Sequence, residues 1–164
     1  MAEEAWLSGP VEGVDPWLQP AAHALVQTRV EFRGALAGLS AEQLSARPSG
    51  IASLAFHALH VAGATDRLLT YARGAALDEA QKAFLAREKA ESAHAAEELL
   101  ATLGTALDRA LDQIRATPRE RLLEPRPVGR QRLPSTVLGL IFHAAEHAQR
   151  HAGQATTTSK LLRG

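Results

Sequence analysis

The stretch PSTVLGLIFHAAEHAQRHAGQ, residues 134–154, decides how the fold is read. Pro134-Ser135 opens a helix that runs at least to Gln154 and on toward Leu162. His143, His147 and His151 follow one another along it at intervals of four. Side chains so spaced stand on one helix face, one turn above the next. Ile141, Phe142, Ala144 and Ala145, which flank them, are core-type residues. A histidine turned into such an interior is costly to charge and needs a partner. One divalent cation satisfies several neutral imidazoles at once.

The rest of the chain supplies helices to pack against this one. Apolar residues make up 46% of the 164 and aromatics only 4%. Ala and Leu, both strong helix formers, dominate, while β-branched and aromatic residues are sparse, so the composition leans to all-α. The length suits one domain able to bury its own core. Asp15-Pro16 reads as the cap and first turn of a helix reaching about Gly38. Along it Trp17, Leu18, Ala21, Leu25, Val26, Val30, Ala35, Leu36 and Leu39 recur at helical spacing. Ser40-Ala-Glu-Gln43 is a capping box for a short turn, and Arg47-Pro48-Ser49-Gly50 breaks the chain. A second long helix spans about Ile51 to Arg73 and stops at Gly74. A short helix capped by Asp78 reaches about Ala90. A third long helix, about Ser92 to Ala116, carries Leu99, Leu103, Leu107, Leu111 and Ile114. Residues 117–134 hold Pro118, Pro125, Pro127, Gly129 and Pro134 and read as a long surface crossover. The expectation is an all-α, four-helix bundle with a long crossover connection and short extra helices. It occupies residues 15–164, behind an irregular N-terminal arm of residues 1–14.

Charge and composition exclude several classes. Lys plus Arg and Asp plus Glu are 18 each, which argues against a general nucleic-acid binder. There is no cysteine, so disulfides and thiolate ligands are out, and any metal must be held by His, carboxylate or water. The acidic start, Glu3-Glu4, is no signal peptide. No apolar run reaches the ~18–20 residues of a membrane span. A cytoplasmic protein is the expectation. Six arginines, residues 115, 119, 121, 126, 130 and 132, make the crossover basic: a solvated loop, or an anion-binding rim near a site.

Two of the long helices carry the chemistry. Five of the seven histidines fall on them: His57 and His60 on the second, His143, His147 and His151 on the fourth, while His23 and His94 stand alone. Two imidazoles four apart grip one ion in metalloprotease helices. A third ligand must come from another element, and the second helix has the only other histidine pair in an apolar stretch (Phe56, Ala58, Leu59, Val61). Glu146 points about 100° away from His147 and reads as a surface or outer group. Asp66 and Arg67 read as a structural ion pair, and Thr156, Thr157 and Thr158 as surface.

The residues HAQRHAGQ, 147–154, resemble the closing signature of DinB/YfiT-like proteins, in which two metal histidines precede a Gly-Gln. SLAFHALHVAGATDRLL, 53–69, resembles that family's serine, histidine and Asp-Arg stretch, and Leu39 to Pro48 resembles its lead-in. The resemblance spans about residues 15–162. It implies a four-helix bundle and a divalent metal, zinc or nickel, held by His60, His147 and His151. His60 is preferred because Ser53 and Asp66-Arg67 then fall in the family's register; His57 is the alternative. His57 and His143, each a turn before a ligand, are outer or substrate-contacting groups, or serve packing or surface roles. Some relatives look like thiol-dependent S-transferases or isomerases, which implies a transferase acting with a low-molecular-weight thiol. The sulfur would then come from the cosubstrate. A metal-dependent hydrolase and a stress-associated bundle without enzymatic activity are the alternatives. Family bundles often look dimeric, which implies a homodimer, with Trp6 and Leu7 available for a partner surface.

Overall fold

The computed structural model describes residues 4–90 and 92–164. Asp15 caps a 3-10 turn, Pro16–Leu18, by accepting from the Trp17 N–H at 2.9 Å, and that turn feeds α1, Gln19–Leu36. Ser40 and Gln43 form a capping box for α2, Ala41–Ser45. α3, Leu54–Ala72, starts where the Ser53 hydroxyl accepts from the Phe56 N–H at 3.1 Å. Asp78 and Gln81 form a second capping box for α4, Glu79–Glu88. α5, Ala96–Arg115, presents Leu99, Leu103, Leu107, Leu111 and Ile114 to the core. α6, Val137–Arg163, is capped by Thr136, whose hydroxyl accepts from the Gly139 N–H at 3.0 Å. These caps satisfy helix-end N–H groups that would otherwise lack partners.

The four long helices close on one core. α1 packs on α6 and α5, and α3 packs on α6, α5 and α4. Phe32, Leu18, Leu25, Leu36, Leu54 and Ile141 are among the side chains removed from solvent. α6 lines its inner face with alanines, Ala144, Ala145, Ala148, Ala152 and Ala155, all buried. Small side chains let helix axes approach closely. Gln149 Nε2 then reaches across to donate to Thr28 Oγ1 at 2.9 Å, and Ser159 Oγ donates to Ala35 O at 2.7 Å.

The structure corrects the sequence reading in several places, among them Phe142, which is exposed and not part of the core. The crossover contains an antiparallel hairpin, β1 Pro125–Val128 with β2 Leu133–Thr136. Pro127 faces Pro134, and neither has an N–H to give, so the ladder falls to the pairs on either side. Prolines thus blocked a helix here without blocking an edge strand. The last helix accordingly begins at Val137 and not at Pro134. Trp17, placed in the apolar stripe, is 65% exposed, with the Arg119 guanidinium 5.9 Å over its ring. Thr158, read as surface, is buried. Among the described residues, no helix is long and apolar enough to cross a membrane.

The basic crossover mostly braces the fold. Arg115 donates to Glu12 O, Arg119 pairs with Asp15, and Arg121 with Glu124. Arg126 donates to Ala72 O at 2.9 Å, which fastens the hairpin to the end of α3.

Candidate metal centre

α3 and α6 pack side by side, and their histidines meet at that seam. His60, His147 and His151 each offer a ring nitrogen lying within 4.8 Å of the others, and all three are half-buried. Ring centroids are 5.1 Å apart for His60 and His147, 4.7 Å for His60 and His151, and 4.6 Å for His147 and His151. No other group of this kind occurs among the described residues. His57 stands outside it: its Nδ1 faces His151 Nδ1 at 2.9 Å instead. Phe56 stacks on His60, nearly parallel at 5.2 Å between centroids.

The electrostatics favour unprotonated imidazoles. Burial pushes His151 down to about 3, with His147, His60 and His57 adding repulsion. Burial, then repulsion from His60, lowers His57 to about 4; burial, then His60 and His143, lowers His147 to about 4. Only a neutral imidazole has a lone pair for a cation. The donor set therefore suits a divalent ion of the zinc or nickel kind. His147 adds a second sign of fit, because its Nδ1 is buried and has no hydrogen-bond partner. A buried polar atom without a partner is uncommon and asks for an explanation.

The remaining residues singled out in the sequence sort clearly. His143 is exposed, and its Nδ1 lies 2.7 Å from Glu146. Arg150, and secondarily His143, hold the Glu146 carboxyl below its usual range, which leaves it a poor base. His23 contacts Gly9 O, and His94 contacts Ser92 and Glu98; neither approaches the cluster. The expected Asp66–Arg67 ion pair does not form. Asp66 accepts from Gln81 Nε2, and Arg67 pairs with Glu88. The two residues are adjacent on a helix, so they diverge by about 100° and are drawn to different partners.

Glu88 is the residue that sequence reasoning missed. It ends α4, a helix with little amphipathic pattern, and looks like one more solvated acid. Its side chain is fully buried, with Oε2 3.0 Å from His60 Nδ1 and 3.2 Å from an Arg67 nitrogen. The sequence held a weak signal only: His60 and Arg67, a histidine and a cation, share a face of α3. A cavity of about 780 Å³ lies among α3, α4 and α5 beside Arg67, Gln81 and Phe84; none of the clustered histidines lines it.

A family description, the DinB superfamily, matches residues 24–155. Among solved structures, a conserved protein from Enterococcus faecalis is similar over 90% of this chain and 97% of its own, with a TM-score of 0.70 and 18% identity. At that identity the likeness shows the fold alone. No curated protein matches the chain.

Proposed function

The chain belongs to the DinB superfamily, and we propose that it is a divalent-metal protein in which His60, His147 and His151 hold zinc or nickel. The observation that carries this reading is the convergence of three nitrogens within 4.8 Å. On this reading the fold is a four-helix bundle with a long crossover, and one continuous core supports treating residues 15–164 as one domain.

We read the protein as a transferase that acts with a low-molecular-weight thiol. Three protein ligands are the catalytic pattern for zinc, because they leave a position open. A cation held there would supply Lewis acidity, which lowers the pKa of a coordinating thiol or water. Hydrolysis would also need a group to take a proton from water, and the nearest acid on α6, Glu146, is tied to Arg150 and His143. A thiol is itself a strong nucleophile once its proton has gone to solvent. Its sulfur would bond to an electrophilic carbon as the leaving group departs with the electrons of the broken bond. The lack of cysteine means that the sulfur enters with the cosubstrate. A cytoplasmic homodimer fits this reading, with exposed Trp6 and Leu7 available to a second copy.

Two measurements test it. Protein purified without added metal is analysed for metal content and titrated with zinc. Near-stoichiometric metal, or binding at micromolar concentration, is expected; neither would end the proposal. A panel of low-molecular-weight thiols is then assayed with an electrophile, beside His147→Ala. Equal rates in both proteins would remove the transferase reading.

A further inference from the structure

We propose that Glu88 is a positioning residue for this centre, fixing the His60 ring with its proton on Nδ1 so that Nε2 is the atom turned to the metal. The inference rests on the metal reading and adds to it which side chain outside the three histidines prepares the site.

A carboxylate can only accept hydrogen bonds. With Glu88 Oε2 3.0 Å from His60 Nδ1, that nitrogen carries a proton, and in the neutral ring, the form able to bind a cation, the lone pair is then on Nε2. The Phe56 ring, stacked on His60, limits rotation of the imidazole out of this contact. Hydrogen bonds of this kind to the outer nitrogen fix ring orientation and raise ligand basicity in metal sites generally.

The surroundings are built for this one carboxylate. Glu88 has no exposed side-chain surface, and burying a charge is expensive unless it is paired and hydrogen-bonded. Arg67 donates to both of its oxygens. Gly63 makes the room: a Cβ there would stand 1.9 Å from Glu88 Oε1 and 2.7 Å from an Arg67 nitrogen. Glycine inside a helix is otherwise unfavourable, and Gly63 has ordinary helical backbone, so space is the reason for it. His60, Gly63 and Arg67 therefore act as one cradle on α3, into which the last residue of α4 is set. An ion pair that merely pinned α4 to α3 would need Arg67 and Glu88 but no contact with His60.

Nitrogen-15 NMR of the imidazoles in the metal-free wild-type protein, with His60 assigned from the spectrum of His60→Gln, reads the tautomer directly. The expected result is a protonated Nδ1 and an unprotonated Nε2 at His60, with the Nε2 signal moving when zinc is added. The opposite tautomer would overturn the proposal. Zinc titration against a competing chelator gives a second reading. Glu88→Gln, and Arg67→Gln/Glu88→Gln, which leaves no unpaired buried charge, are each expected to bind about 10- to 100-fold more weakly. Wild-type affinity in either variant, shown to be folded by circular dichroism, would overturn it. Should both variants fail to fold, the tautomer in the wild type decides. If the wild type binds no zinc, the metal reading fails, while the tautomer still tests the placement of His60 by Glu88.

Discussion

His57 on α3 and His143 on α6 stand in nearly the same relation to the cluster, each about one turn ahead of one of its members. The structure treats them oppositely. His57 is 5% exposed and turns its Nδ1 to His151, whereas His143 lies in solvent beside Glu146. The difference comes from the helices and not from the spacing. α3 is enclosed by α4, α5 and α6, and the run from Leu54 to Ala64 contains no acid, lysine or arginine. α6 is covered by α1 and α3 and leaves a face on which Phe142, His143 and Arg150 meet water. Burial of the surrounding helix decides which of these two neighbours turns toward the cluster and which toward solvent.

The largest effect expected of any single change belongs to a clustered histidine. His147→Ala should weaken zinc binding by more than ~100-fold, because even a partner outside the ligand set costs ~10–100-fold. A competition titration measures this. A loss no greater than that of His57 or His143 variants would erase the distinction between the cluster and its neighbours.

Acid should expose the same division in the metal-free protein. His57, His147 and His151 sit well below 6.5 because they are buried. Below pH 6.5 the unfolded chain takes up protons that the folded chain refuses. Their contribution is therefore complete above about pH 6.5 and is lost as pH falls toward 4 and then 3. For His57 a fall from 6.5 to about 4 corresponds to roughly 3 kcal/mol. Thermal melts between pH 7 and pH 4 should show Tm falling with pH, and His57→Leu should flatten the fall. A wild-type Tm that does not change over that range would show these rings to be better solvated than their burial implies.

The long helices and their caps were legible because each rests on local chemistry. Ser40 with Gln43, Asp78 with Gln81, and the leucines of α5 need nothing from elsewhere in the chain. The hairpin was not legible: Pro125, Pro127 and Pro134 forbid a helix, but whether such a segment pairs with itself depends on register. Trp17 fits the helical period, yet it precedes α1 in a 3-10 turn, which sets its ring outward onto Arg119. Of the clustered histidines, His147 and His151 could be read because they share a helix face, whereas the uncharged run of α3 offered His57 and His60 alike and only the family resemblance preferred His60. Glu88 could not be read, since it lies 28 residues from His60 on a helix whose pattern gives no inward face. Gly63 gave no separate signal either, since Gly34, Gly104 and Gly153 also lie inside helices, and only in the structure does a Cβ at Gly63 meet Glu88 and Arg67.

The smallest effects sharpen the opening comparison most. His57→Gln should weaken zinc binding by about 10-fold, the low end for an outer partner. If His151 is to give Nε2 to a cation, its Nδ1 carries the proton and donates to His57 Nδ1, which must be bare. Glutamine keeps an acceptor but not the fixed direction of the ring. His143→Ala should change affinity less than twofold and stability by less than about 0.5 kcal/mol, as surface substitutions do. Its pairing with Glu146 is duplicated by Arg150, which holds the same carboxylate. Equal losses in the two variants would mean that His143 also acts on the centre through its near neighbour His147, their centroids 5.7 Å apart. Burial would then be the wrong criterion, and position one turn ahead of a clustered histidine the right one.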